Sequence, residues 1–163
     1  MINKTEQKAG RNNESLKVII FRLGNEEYGV DVQQVKSIER MEHITRVPNT
    51  PPFVKGVINL RGVVVPIIDL RKRFGIDQKE YDDTTRIIIV HVEDMEVGLI
   101  VDSANDVIDI ESDTIEPPPK VVGGVESVYL RGVAKLSNRL LILLNLDKVL
   151  NPEEVKELEK FGM

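Results

Sequence analysis

Apolar positions along this chain fall into short runs separated by turn residues, the pattern of a β-rich fold. Residues 16–23 (LKVIIFRL) have strand length and β-branched content, and Gly24-Asn25-Glu26-Glu27 is turn-like. With 28–32 as a second strand, the segment predicts a β-hairpin. Val32, Val35 and Ile38 recur every three residues, which predicts one helical turn or a strongly bent segment. Pro48, Pro51 and Pro52 interrupt regular structure, because each proline removes a ladder donor. Two apolar runs follow, 54–60 and 63–70, broken at Arg61-Gly62, a natural turn or bulge position. Residues 70–74 read as a short helix closed by Gly75.

The second half restarts with strands over 85–92 and 96–101 around a turn at Glu93-Asp94. Pro117-Pro118-Pro119 fits neither a helix interior nor a central strand, so 111–124 is a connecting loop. Strands over 125–135 and 139–146 flank Ser137-Asn138. Asn151 as N-cap, Pro152 at the first helical position and Glu153-Glu154 in the first turn start a helix over about 152–161, with Val155 and Leu158 on one face. At the other end, residues 1–15 carry only Met1, Ile2 and Ala9 as apolar side chains and read as a mobile tail.

The chain also repeats itself. Leu60-Arg61-Gly62-Val63 recurs as Leu130-Arg131-Gly132-Val133, offset by 70. Ile67-Ile68-Asp69-Leu70 resembles Leu143-Leu144-Asn145-Leu146, offset by 76, the six extra residues being assigned to a hairpin insertion over 136–141. Glu27-Tyr28-Gly29-Val30 resembles Glu96-Val97-Gly98-Leu99, offset by 69. Three blocks in the same order imply one domain of two homologous, interleaved β lobes, about 16–84 and 85–150, followed by the C-terminal helix over 151–163. A lobe of this size is marginal alone, so the two should pack through a shared apolar seam, with the groove at their meeting as the natural binding site.

Composition narrows the function. With 22 Lys+Arg against 27 Asp+Glu the net charge is −5, and only seven side chains are aromatic, a poor match to phosphate neutralisation or base stacking. Nucleic acid is therefore not an expected partner. The one basic cluster, Arg71-Lys72-Arg73, reads as a solvated helix start. There is no cysteine, which excludes disulfides, thiolate catalysis and Cys-based metal sites. No apolar run approaches the roughly 18 residues of a membrane helix, and the N-terminus lacks a signal-peptide core, so the cytoplasm is the expected compartment.

No catalytic signature emerges. His43 and His91 are the only histidines and lack metal-ligand spacing, so no metal is expected. There is no nucleophile elbow, Asp82-Asp83 and Glu153-Glu154 read as solvated charge, and Gly123-Gly124 lacks the Lys-Ser/Thr of a phosphate loop. Two non-catalytic features stand out. Arg61 sits at an apolar strand junction where a guanidinium needs partners, either as a lobe–lobe ion pair or as an anchor for a binding partner. Arg131 at the repeated position points to an architectural share in that role. Val35 and Ile38 lie near the seam, either as core or as part of a groove for an apolar helix.

On four blocks the chain resembles the CheW family of chemotaxis coupling proteins: LGNEEYGVDV (23–32), TRVPNTPPFVKGVINLRGVVVPIIDLR (45–71), VGLIVDSANDV (97–107) and LLILLNLDKVL (140–150). FVKGVINLRG (53–62) is the most specific stretch. The resemblance implies a mainly β fold of two SH3-like five-stranded β-barrel lobes packed together, with short helices and a C-terminal helix. It implies a non-catalytic adaptor without a cofactor, linking the helical-hairpin cytoplasmic tips of methyl-accepting chemoreceptors to the histidine kinase CheA through that kinase's CheW-like regulatory domain. Such a protein would be cytoplasmic, recruited to membrane-associated receptor arrays but not inserted in the membrane. The positions matching the receptor groove are Val35, Ile38, Arg61, Thr85, Arg86, Gly98 and Val107, with Gly98 giving close approach; the kinase contact is expected on the outer strands and loops of both lobes, including Gly56 and its neighbours. The chain departs from the expected pattern at Arg86, where an apolar side chain would fit the groove. A stand-alone regulatory module, or a small enzyme with a pocket at the seam, is the alternative.

Overall fold

A computed structural model describes residues 15–122 and 124–160, and it is built from two interleaved sheets. The strands are β1 (Ser15–Leu23), β2 (Glu26–Asp31), β3 (Val35–Arg40), β4 (Val54–Leu60), β5 (Val63–Asp69), β6 (Arg86–Val92), β7 (Met95–Val101) and β8 (Ser103–Glu111). Then come β9 (Ile115–Glu116), β10 (Val121–Val122), β11 (Val125–Glu126), β12 (Leu130–Leu136) and β13 (Arg139–Leu144). Three helices are α1 (Leu70–Phe74), α2 (Leu146–Val149) and α3 (Pro152–Glu159). A six-stranded sheet has the order β9-β12-β13-β2-β1-β8, and a five-stranded sheet the order β3-β6-β7-β5-β4; β10 and β11 form a separate ribbon.

The mainly β, two-lobe fold class is therefore what the chain adopts. Its sheets curl around their own cores without a closing ladder, and one has six strands rather than five. The two lobes exchange strands across the approximate 84/85 boundary. Sheet membership assigns 35–101 to the five-stranded lobe, and 15–31 with 103–144 to the other. The reason lies after each central hairpin. A single 3-10 turn (Val32–Gln34), capped by the Asp31 carboxylate accepting from the Gln33 amide at 2.9 Å, sends the chain from β2 into β3 of the other sheet. Asp102 performs the return crossing from β7 to β8, its amide donating to the Arg22 carbonyl at 3.0 Å. The threefold spacing of Val32, Val35 and Ile38 is thus one helical turn followed by a strand.

The duplication is real, with the hairpin block aligned differently from the sequence offset of 70. Gly29 and Gly98 occupy matching places in β2 and β7, each a central strand running parallel to a second strand: Gly29 beside Leu143, Gly98 beside Ile67. The hairpins β4-β5 and β12-β13 correspond at 76 throughout, with Val54↔Ile68 and Gly56↔Ile67 in one matched by Leu130↔Leu144 and Gly132↔Leu143 in the other, each with a bulge at that point. Leu130-Arg131-Gly132-Val133 is therefore the counterpart of Val54-Lys55-Gly56-Val57. Arg61-Gly62 is a tight turn with φ of 52° and 87°, whereas Arg131 and Gly132 lie inside a strand. No hairpin insertion is needed, and Arg131 does not share the place of Arg61. Asp69 and Asn145 correspond in turn, each capping the helix that follows.

Both faces of the central strands are buried, which is why they read as continuous apolar runs. On β1, Val18 and Ile20 enter the core of the six-stranded lobe while Ile19 and Phe21 enter a shared core. On β6, Ile87 and Ile89 enter the five-stranded lobe's core while Ile88 and Val90 enter the shared one. That shared core is the expected seam. Each fully buried Ile or Phe there contributes about 1.5–3 kcal/mol of apolar transfer. Phe21, Tyr28, Phe74 and Tyr129 form a chain of rings across it, with centroids 5.5, 6.5 and 5.1 Å apart. Burial pushes the Tyr28 hydroxyl up to about 12.

The expected 125–135 strand is instead β11, a 3-10 turn (Ser127–Tyr129) and β12. Helix α3 is capped as anticipated, Asn151 and Glu154 forming a reciprocal capping box behind Pro152, with Val155 and Leu158 buried. The tail expected over 1–15 lies, apart from Ser15, outside the described residues, as does the end of the 151–163 segment.

Candidate functional site

Strands β3 and β8 are the edges fed by the two crossings, and they correspond at an offset of 69. Each carries a bulge, skipping Lys36 between Val35 and Ser37 and skipping Asn105 between Ala104 and Asp106. Val35 and Ala104, at matching positions, rest on the shared core. Three residues on, Ile38 and Val107, again at matching positions, point to solvent with 42% and 55% of their surface exposed. A bulged edge that ends its packing and then presents a large apolar side chain has both a free ladder and a contact point to offer.

The chemistry flanking the two edges differs. Asp109 on β8 faces Lys17 on β1 and pairs with it at 3.1 Å. The corresponding pair on the other lobe is Arg40 opposite Arg86, two cations in register. Arg86 accommodates this by donating Nη1 to the carbonyls of Asp83 and Thr85, both at 2.8 Å. The charge unexpected at Arg86 is thus spent on backbone groups.

The structure gathers some of the sequence-derived residues around β3. Val35 and Ile38 lie on it, and Arg86 is across the ladder from its end. Arg61 reaches it through Glu39, Nη2 to Oε2 at 3.4 Å. Because β3 and β4 are opposite edges of one sheet, this pair spans a single lobe and is not a lobe–lobe bridge; Arg61 is 70% exposed. Val107 stands apart on the other sheet's edge. Three residues are interior. Thr85 is buried, its hydroxyl accepting from the Asp82 amide at 2.9 Å. Gly98 is buried in the middle of the five-stranded sheet, where an added Cβ would meet Ile67 and Ile87, so its close approach is to its own lobe's core. Gly56, at φ 145°, is buried against the Thr45 carbonyl and permits the Thr45–Val57 backbone pairing.

The lobe–lobe ion pair exists, but at Arg71. Its Nε and Nη2 grip Asp102 at 2.9 and 2.6 Å, and Asp102 also accepts from the Gly24 amide at 2.8 Å. Both side chains are largely covered, at 12% and 16% exposure. Burial alone would raise the Asp102 carboxyl, but the Arg71 guanidinium and the Gly24 amide outweigh it and hold the group below its usual value. Arg73 clamps the C-terminal helix, bidentate to Glu154 at 3.0 and 2.8 Å, donating to the Val149 carbonyl and lying over the Phe53 ring. Two members of the supposed solvated cluster are therefore structural. Each finds its carboxylate at least 31 residues away in sequence, a distance at which no local pattern shows a pairing.

Among the described residues no group of three or more His, Asp or Glu side chains is placed to hold a metal ion, and no helix is long and apolar enough to cross a membrane. The seam is filled by side chains such as Phe21, Tyr28, Val90 and Leu99, all buried.

Comparison with known proteins covers nearly all of this architecture. A family model described as a CheW-like domain matches residues 17–154. The chemotaxis protein CheW of Bacillus subtilis is 47% identical over 137 residues, 84% of this chain and 88% of that protein. CheW of Klebsiella aerogenes is 43% identical over 137 residues, 84% and 82% of the two chains. The crystal structure of the scaffolding protein TtCheW from Thermoanaerobacter tengcongensis superposes with a TM-score of 0.80 at 38% identity, covering 86% of this chain and 96% of that one. With both sheets and both crossings inside the matched region, the chain belongs to the CheW family of chemotaxis proteins.

Proposed function

We propose that this chain is a non-catalytic coupling protein that joins the cytoplasmic tips of methyl-accepting chemoreceptors to the regulatory domain of the histidine kinase CheA in the cytoplasm. The observation that carries this reading is the pair of bulged edge strands, β3 and β8, each presenting one exposed apolar residue at a matching position beside the seam. Val35, Ile38 and Val107 supply apolar contact to a receptor helix, and Arg61 with Glu39 braces β3. Arg86 borders that surface. Thr85, Gly98 and Gly56 act from inside, by fixing the strands on which the contacts ride. A seam packed with side chains offers a partner a wall rather than a substrate chamber, which favours docking over the alternative of a small enzyme.

The test is calorimetric titration of the full chain with the kinase regulatory domain and, separately, with a receptor tip. Ile38→Asp with Val107→Asp should leave the melting temperature unchanged and weaken receptor binding at least tenfold. Unaltered receptor affinity in that variant would reject the edge-strand assignment, and no heat with either partner would reject the coupling role.

A further inference from the structure

Among the described residues six arginines, Arg22, Arg61, Arg71, Arg73, Arg131 and Arg139, are engaged by a carboxylate. Arg46, Lys55 and Lys72, like Arg40, Arg86 and Lys148, make no such pair among the described residues, and the first three line one cavity of about 600 Å³. They come from three separate segments: the loop after β3, strand β4 and helix α1. The floor is apolar, made by Val54 together with Met41 and Ile44, which rest on that lobe's core. Tyr81 forms one wall, with Lys55 over its ring at 5.7 Å. Its hydroxyl donates to the buried Asp69 at 3.0 Å, which anchors the wall. Burial and then Asp69 raise that hydroxyl above its ordinary value, so it stays neutral. Glu42 is the only carboxylate among the lining residues.

An excess of unpaired cations on a molecule whose net charge is −5 runs against the overall field, so the local arrangement calls for an anion. The form of the site decides which kind. Its positive charges sit on long flexible stems around an apolar floor, and no glycine-rich turn or long-helix N-terminus lines it, so a phosphate would find no cradle of backbone amides. Carboxylates spaced along a peptide, with an apolar side chain between them, match both the rim and the floor.

We propose that this cavity is a docking site for an acidic peptide segment of a partner protein, with two or more Asp or Glu side chains engaging Arg46, Lys55 and Lys72 and an intervening apolar residue seated on Ile44 and Val54. The site lies off the β3 and β8 docking edges and does not depend on the receptor contact there.

The test is fluorescence anisotropy of the full chain with a labelled twelve-residue peptide in which Glu recurs at every third position with Leu and Ser between. The result expected is saturable binding that weakens with added salt, at least a tenfold loss in Arg46→Glu with Lys72→Glu, and full affinity in the control Lys148→Glu with Lys156→Glu. Both pairs are exposed, so melting temperatures should match the parent. Equal binding by the two variants, or no saturation up to about 1 mM peptide, would overturn the proposal. So would a Lys-for-Glu peptide that binds as well, or displacement of the Glu peptide by ATP or inorganic phosphate at equimolar concentration, which would make the site one for phosphorylated small molecules.

Discussion

Substituting Gly98 separates a role in docking from a role in packing. A Cβ at this position would lie 2.5 Å from Ile67 Cδ1, 2.8 Å from Ile87 Cγ2 and 3.3 Å from Ile89 Cδ1, where carbon atoms prefer about 3.5–4.0 Å. Ile67 can swing its terminal methyl aside. The Ile87 methyl is a branch at Cβ, held by a stiff χ1 in a central strand, and cannot. Overpacking of this kind costs about 1–3 kcal/mol, offset by about 0.4–1 kcal/mol from the smaller unfolded-state entropy of Ala. Gly98→Ala should therefore destabilise by about 1–2 kcal/mol, a fall in melting temperature of roughly 2–8 °C for a domain of this size. Gly29, its counterpart in the other lobe, is the internal control. Its nearest contacts are the terminal methyls of Leu143 and Leu141 at 2.9 and 3.3 Å, which have longer stems to yield, so Gly29→Ala should remain within about 0.5 kcal/mol of the parent. Urea unfolding of both variants measures this directly, with receptor-tip affinity determined well below the melting range. A Gly98→Ala protein that unfolds like the parent but has lost partner affinity would refute the reasoning and return Gly98 to the contact surface.

Two further perturbations address the crossings and the edges. Arg71→Met should cost about 3 kcal/mol by leaving Asp102 buried without its cation, and a double-mutant cycle with Asp102→Asn should show a coupling of about 1–3 kcal/mol in thermal unfolding. Since the Asp102 carboxyl is held below its ordinary value in the folded state, its contribution is complete above about pH 4 and is lost as pH falls through the folded value; either variant should flatten that part of the acid limb. Arg40→Glu should recreate opposite Arg86 the ion pair that Lys17 and Asp109 make in the other lobe, raising stability by about 0.2–1 kcal/mol, and an unchanged or lowered denaturation midpoint would count against the register.

The hairpins were legible in the chain because turn residues punctuate strongly apolar runs, and α1 and α3 because Gly75, Asn151 and Pro152 are conformational stops and starts that act locally. Strand β8 was not, since the four apolar residues of Ser103–Glu111 are interrupted by Asn105, Asp106 and Asp109 and the strand pairs on one side only, so a half-exposed edge left no continuous apolar run. Which strands the interleaved lobes exchange was hidden for a different reason. Contiguity along the chain suggests that each copy folds on itself, whereas β3 and β8 each leave their own copy to complete the other. The same limit hid the site's geometry: Ile38 and Val107 stand in different sheets, and only the crossings show that they hold the same place.

Duplication here conserved the frame and released the edges. Hairpin register, the parallel strand beside Gly29 or Gly98, the bulge at Gly56 or Gly132 and the helix cap at Asp69 or Asn145 all recur, because each is fixed by interior packing or by backbone hydrogen bonds that tolerate little change. The surfaces flanking the two exposed apolar residues face solvent and escape that constraint. Arg40 holds the place of Asp109, so a cation stands where the other lobe has an anion paired with Lys17. A frame that repeats while its edges diverge in charge presents two similar apolar contact points in different electrostatic settings. On the docking proposed above, discrimination between partners of similar shape falls to the charges beside Ile38 and Val107, where a like-charge clash rejects a wrong partner more strongly than an added contact favours the right one.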